Sequence, residues 1–403
     1  MIFTLFAWFA ISPKVWTNNR NNAALFLVAF SIFISTLLSP YEGLGNNLTT
    51  ENWFKVFVFF LLIMTSVKTE KDLKVLITAF TVCFTLYMLH SLREYRCGRH
   101  TFRMGIARML GVDSTMNDPN AFGNGINYAI PLLLPLLIFA REQTTKRRKQ
   151  LLLILAITSF LLSIICIQLT GSRSSFVALG ISLTTLALLS KYRFRVLVLL
   201  CVAAPIVWFS LPADLQNRYL TVIYPELGPT SAQESAESRI VFFWMGIDIW
   251  KENLPFGVGP SCFPYASGTG VQSHGFIPQV TSELGTLGVV AYLMLIGCTL
   301  ANSFESRSLC KKMKAMGREK EALYFHRVSF AVAFTVFLLI LLGFGGHNAF
   351  RFTWIWYAAF QAIAVGILRQ KVDALSRLPQ QTPRVSNQAP VQFGQNRTGI
   401  TSH

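Results

Sequence analysis

The chain has 403 residues, of which 52% are hydrophobic, only 14% are charged and 34 are phenylalanine. Soluble domains carry roughly 25% charged residues, so this composition excludes an ordinary soluble protein and points to a helical membrane protein. Lysine and arginine exceed aspartate and glutamate by 36 − 19 = 17, but the excess lies in short clusters between apolar runs. That distribution argues against nucleic-acid binding, which wants one basic patch, and fits loops on the cytoplasmic side of a membrane.

Residues 1–11 are apolar but short for a span, and no small-residue cleavage site follows them. They read as a short or truncated first helix, not as a signal peptide. Ten longer apolar runs follow, at 23–38, 53–67, 73–91, 121–140, 151–170, 174–190, 194–211, 284–304, 328–344 and 350–368. Each approaches the ~20 residues that carry a helix across ~30 Å of hydrocarbon. The expected fold is an all-α polytopic membrane protein with about 11 spans. Basic clusters at Lys14/Arg20, Lys68/Lys71/Lys74, 141–149, 191–195, 307–320 and Arg369/Lys371 all fall on one face if the spans alternate. The charge rule makes that face cytoplasmic, with the N-terminus outside and the C-terminus inside.

Two outer segments are long, 92–120 and 212–280. The first reads REYRCGRHTFRMGIAR and sets Arg93, Arg96, Arg99, Arg103 and Arg108 against a single Glu94. Positive charge here runs against the rule. It suits an anionic lipid, ordinary headgroups or a pyrophosphate-bearing substrate, with Arg99 and Arg103 as possible auxiliary ligands. The segment closes on MNDPNAFG, where Asp118 fits an N-cap and Pro119 the first helical position.

The second contains SAESRIVFFWMGIDIWKENLPFGVGPSCF. Ile240, Phe243, Trp244 and Ile247 follow helical spacing, with Asp248 and Lys251 off the stripe, as in an amphipathic helix on the membrane interface. Arg239 stands at its start, and the Gly/Pro-rich stretch after it turns the chain back towards His274. Cys97 and Cys262 fall in the two outer segments and could bridge in an oxidising compartment. The seven cysteines include no CxxC, so neither zinc nor a redox pair is indicated. From about 372 the tail is rich in Gln, Asn, Pro, Ser and Thr and is expected to be disordered.

Three stretches carry candidate chemistry. In QLTGSRSSFVALG, 168–180, one span ends outside and the next begins. The free amides and positive dipole end of the second helix favour an anion. Arg173 adds a guanidinium, and Ser172, Ser174 and Ser175 add hydroxyls suited to a phosphate. Arg173 could equally reach to headgroups, and Arg239 could simply pair with Glu237. The second stretch, QSHGFIPQVTSELGTLGVVAYL, holds His274, a residue type able to accept a proton near neutral pH. The third, GFGGHNAFR, holds His347, also on the outer face and a second candidate; His100 is external too. There is no DxD pair, Walker loop, GxSxG or HExxH. No metal or cofactor is expected, and the energy for any transfer must reside in the donor.

TGSRSSFVAL, ESRIVFFWMGIDIWKENLPFGVGPSCF and SHGFIPQVTSELGTLGVVAYL together resemble the bacterial O-antigen ligase and polymerase superfamily, over roughly 120–368. The resemblance implies an arginine after a Gly-Ser turn, a second in the large periplasmic loop and a histidine near that loop's end, here Arg173, Arg239 and His274. Gly275 stands where the family often has Asn, whereas the Glu-x-Gly that follows is kept as Glu283 and Gly285.

The resemblance further implies 11–12 transmembrane helices of GT-C-like glycosyltransferase architecture, in a bacterial inner membrane, with the active site facing the periplasm. N-terminal helices with the basic loop would occupy 1–120, a catalytic membrane domain 121–368 with its periplasmic loop at 212–280, and a cytoplasmic tail 369–403. The implied reaction is an inverting, metal-independent transfer of a glycan from undecaprenyl pyrophosphate. Arg173 and Arg239 would bind the pyrophosphate and His274 would accept the proton; Glu283 reads as a structural partner. The acceptor would be lipid A core. A growing glycan, as in a polymerase, or a protein Ser/Thr are the alternatives, and a lipid-linked glycan transporter is the non-enzymatic one.

Overall fold

The computed structural model describes residues 8–10, 14, 16–41, 46–103, 106–221, 224 and 230–377. All ten longer apolar runs form helices: α1 (Arg20–Leu37), α2 (Asn46–Ser66), α3 (Glu70–Arg96), α4 with α5 (Pro119–Ala129 and Leu133–Glu142), α6 (Lys146–Thr170), α7 (Arg173–Leu188), α8 (Arg193–Ser210), α12 (Phe276–Ala315), α13 (Glu319–Gly343) and α14 (Phe352–Ser376). Among the described residues, eight of these units are long and apolar enough to cross a bilayer, and the apolar parts of α2 and α7 are shorter. The protein is an all-α polytopic membrane protein. Of the expected first span only 8–10 are described, as helix, and the tail beyond 377 lies outside the described residues. The last helix runs to Ser376, so the boundary expected at 368 falls inside it.

Between the spans lie a small antiparallel hairpin, β1 (His100–Arg103) and β2 (Ile106–Met109), and the helices α9 (Ala213–Leu220), α10 (Thr230–Glu252) and α11 (Phe263–Ala266). The core is built where α12, α13 and α14 meet α1, around Leu25, Ile32, Leu295, Phe325, Tyr357 and Phe360. By contrast α8 buries none of its residues. It exposes Phe194, Leu199, Ile206 and Phe209, a surface that only lipid makes tolerable.

Ion pairs show that the basic helix ends share one face. Glu305 on α12 binds Arg20 of α1 at 2.7 Å and Arg369 of α14 at 2.5 Å. Lys371 of α14 binds Glu321 of α13 at 2.5 Å and also Glu70 of α3. Lys74 of α3 joins Glu70 to Glu142 of α5 at 2.5 Å each. Six helix ends are thereby gathered, as alternation of the clusters requires.

Two spans depart from simple rods. The run at 121–140 is broken by a 3-10 turn, Ile130–Leu132, because Pro131 cannot donate to the helical ladder. The last-loop helix α12 starts at Phe276, before the apolar run at 284, and is interrupted at Gly285, with φ 63° and ψ −159°. Only glycine adopts that region readily. Space forbids a side chain as well, since a Cβ there would stand 2.2 Å from the Pro255 carbonyl oxygen and 2.5 Å from the Gly257 nitrogen. The backbone of the Gly/Pro-rich stretch is thus pressed onto the break. Gly285→Ala should cost about 2–4 kcal/mol, read as a lowered thermal midpoint in detergent; an unchanged midpoint would contradict this packing.

The helix α10 has two apolar faces. Ile240 and Trp244 point outward, as expected of an interfacial helix. Phe242, Met245 and Ile249 turn inward onto Val258, Cys262 and Phe263, and Gly246 lets the helix sit against Pro278. The possible Cys97–Cys262 bridge is absent: both are free thiols. Cys97 is exposed at the end of α3, whereas Cys262 is buried beneath α10 beside Ser39.

Candidate active site

On the face opposite the ion pairs, the N-termini of α4 and α14 meet the loop before α12 and the loop 344–351. They enclose a cavity of about 90 Å³ lined by Asp118, Asn120, Asn124, His274, His347 and Arg351, with Tyr128 and Asn348 deeper in the wall. That volume is enough for several waters or a phosphate-sized group. The rings of His274 and His347 are 6.1 Å apart. Phe242 of α10 lies 6.4 Å from His274. Arg239, one turn earlier on α10, reaches the same loop: a Cβ on Gly345 would stand 3.8 Å from its Nη1. The structure therefore brings His274, His347 and Arg239 together.

The first two turns of α12 hold this arrangement. Glu283 Oε1 accepts from Gln272 Nε2 at 2.7 Å and from the Phe263 amide at 3.4 Å, while Gln272 Oε1 accepts from the Ser273 amide at 3.0 Å. Gln279 Oε1 takes the Ala349 amide at 3.1 Å. One helix start thus anchors both histidine loops: the buried Glu283 braces that of His274 and Gln279 that of His347. Glu283→Ala removes the acceptor and should lower transfer more than tenfold, whereas Glu283→Gln keeps an oxygen at Oε1 and should restore most of it. Equal losses in both variants would mean that the charge itself matters.

The turn at Arg173 is built separately. Helix α6 closes on Gly171, φ 56°, a left-handed cap that favours glycine. Three donors satisfy carbonyls that the helix end leaves over: Tyr219 Oη to Gln168 at 3.0 Å, Arg108 Nε to Thr170 at 2.7 Å and Arg218 Nε to Gly171 at 2.6 Å. Two guanidinium groups so face the negative end of the α6 dipole. Ser172 caps α7, and the Ser175 hydroxyl lies 2.9 Å from Ser172 Oγ and 2.7 Å from Asn124 Oδ1.

The serines expected to meet a phosphate are thus partly committed: Ser172 is buried in its cap, and Ser174 Oγ is 3.4 Å from Ser172 Oγ. Arg173 donates from Nη1 to Thr221 Oγ1 at 3.0 Å and does not line the cavity. It stands one helix away, joined to the cavity wall through Ser172, Ser175 and Asn124. Arg99 is exposed and donates to the Val112 carbonyl at 3.2 Å, outside the cavity. The Arg103 side chain lies outside the described residues.

Burial pushes the His347 imidazole down to about 4, and the charges of Arg351 and His274 act in the same direction. His347 therefore stays neutral near pH 7. An unfolded chain binds the proton that native His347 refuses, so this residue subtracts stability as pH falls from about 6.5 to about 4. His347→Gln should lose less in thermal midpoint over that window than the parent, a difference on the order of 1–3 kcal/mol; parallel curves would refute the burial argument. Burial also draws Arg351 below the usual guanidinium value, but arginine remains cationic at any pH of interest. Among the described residues no three His, Cys, Asp or Glu side chains cluster as metal ligands.

Sequence reasoning missed Arg351, Asn124, Asn348 and Tyr128 in the cavity, and the clamping role of Arg108 and Arg218. Arg351 was within reach, as the last residue of GFGGHNAFR. Asn124 and Tyr128 gave no signal, because polar residues on an apolar run are visible only once the facing helices are known.

A polytopic helix bundle with an arginine- and histidine-lined cavity at one face is the class of protein that fold and site define. Residues 158–293 match the family described as O-antigen ligase, so this part of the membrane bundle is similar to O-antigen ligases. The match spans Arg173, Arg239 and His274 and leaves His347 and Arg351 beyond its end. No curated protein matches the chain.

Proposed function

We propose that the protein transfers a glycan from an undecaprenyl-pyrophosphate-linked donor to an acceptor hydroxyl on the periplasmic face of the inner membrane, joining it to lipid A core. The observation that supports this reading is a cavity at the mouth of the bundle lined by His274, with Arg239 beside its Gly345 wall, within a match to the O-antigen ligase family. The acceptor oxygen attacks the anomeric carbon from the side opposite the pyrophosphate. The new C–O bond forms as the bond to the phosphate oxygen breaks, inverting the centre. The acceptor proton passes to His274, and undecaprenyl pyrophosphate leaves with the bonding pair.

An imidazole is too weak a base to ionise a sugar hydroxyl beforehand, so proton transfer accompanies attack. Arg173 and Arg239 match the leaving group's charge, which grows in the transition state. No metal or cofactor enters this scheme. The test is the lipopolysaccharide of a deletion strain. Loss of long-chain material with accumulation of free lipid-linked polymer supports the ligase; shortened chains still attached to core would assign a polymerase instead.

A further inference from the structure

The cavity contains a cation that the proposed mechanism leaves unused. Arg351 lines it, and among the described residues its side chain makes neither a hydrogen bond nor an ion pair. The guanidinium is half-buried, faces the cavity and has no direct hydrogen-bond partner among those residues, so it is open to an anion that enters there. The surrounding groups select an anion. The helix α14 begins at Arg351 with no side-chain cap, leaving its first-turn amides available, and Phe352 and Thr353 bring that turn to the cavity wall. The N-terminus of α4 faces the same space, but its amides are already taken by Asp118. One open helix start and a forked donor are a phosphate-binding combination.

One acid, Asp118, is also on the wall. Its Oδ1 is held by the amides of Asn120 and Ala121 at 2.9 Å each, so its charge is spent on the α4 helix end. Asp113 lies further off, bound by Tyr87, Thr115 and the Met116 amide.

We propose that this cavity is a diphosphate subsite in which Arg351 grips one phosphoryl group through its guanidinium fork, beside His274. The inference rests on the glycan-transfer reading for the source of that phosphate, and it places the leaving group deeper than Arg173 alone would. The cavity's size admits the phosphoryl group, and the subsite then sets the sugar at its mouth, where His274 can meet the acceptor.

The test is calorimetric binding of methylenediphosphonate to the full-length protein in neutral detergent, together with reconstituted transfer. The parent should bind. Arg351→Gln should bind at least tenfold more weakly, and Arg351→Lys should fall between. Ala121→Leu, which narrows the cavity and keeps the charge, should also weaken binding and guards against a fold defect in the arginine variants. His274→Ala should bind like the parent and fail to transfer.

Binding by Arg351→Gln and Ala121→Leu equal to that of the parent would overturn the subsite, whatever transfer shows. Diphosphate binding that needs Arg351, with no transfer by the parent, would leave the subsite standing and sink the glycan-transfer reading. Loss of diphosphate binding when phosphatidylglycerol is added to the micelles would reassign the site to a lipid headgroup and overturn its link to the donor.

Discussion

Replacing His274 with alanine should lower glycan transfer by about 10²–10⁴, the usual worth of a positioned general base, with little change in folding. The ring is only half-buried and stands at a cavity wall, so its removal leaves no core void. The loss should appear in turnover more than in donor affinity, because the proposed scheme gives the phosphate contacts to the arginines. The pH–rate profile of the variant should lose the acidic limb that the parent shows. His347 offers the needed contrast. It stands 6.1 Å away but is held neutral far below the working pH, which makes it a poor proton acceptor. His347→Ala and the distant His100→Ala should each lose much less. Full transfer by His274→Ala with purified donor would end its role and pass the question to His347.

Conservative replacement of Arg173 and Arg239 by lysine is expected to have the second large effect. Lysine keeps the charge but loses the planar two-donor fork. A headgroup anchor tolerates the change; a phosphate ligand does not. Losing one charge-assisted contact costs about 1.5–3 kcal/mol, or roughly ten- to a hundredfold in affinity.

The structure adds a distinction between the two. Arg239 reaches the loop that carries His347, so its variant should impair donor binding and turnover together. Arg173 donates to Thr221 outside the cavity, so its variant should act chiefly on donor affinity. Near-parental transfer by both lysine variants would exclude the pyrophosphate role for this pair and leave the Arg351 cavity as the anion site to test.

The sequence by itself determined the class of the protein and the membership of its helices. Apolar length and basic loop clusters depend only on local composition, which is why all ten longer runs reappear as helices and six of their charged ends are joined on one face. The same holds for the Gly-Ser turn at Arg173, the Asp118–Pro119 helix start and the helical course of α10, each set by residues within one or two turns. Only the tertiary structure decided how the loops opposite the basic face come together. It placed His274 in the wall of a cavity and Arg239 beside the loop that closes it, but set Arg173 a helix away. It turned Glu283, at the end of the second turn of α12, into the brace of Gln272, and it showed why Gly285 admits no side chain. It also brought Arg351 and Asn124, some 230 positions apart in the chain, to one wall. A polar residue on an apolar helix acquires a partner only when helices distant in sequence pack against each other, and that choice rests on shape and burial summed over the whole bundle, which no local pattern records.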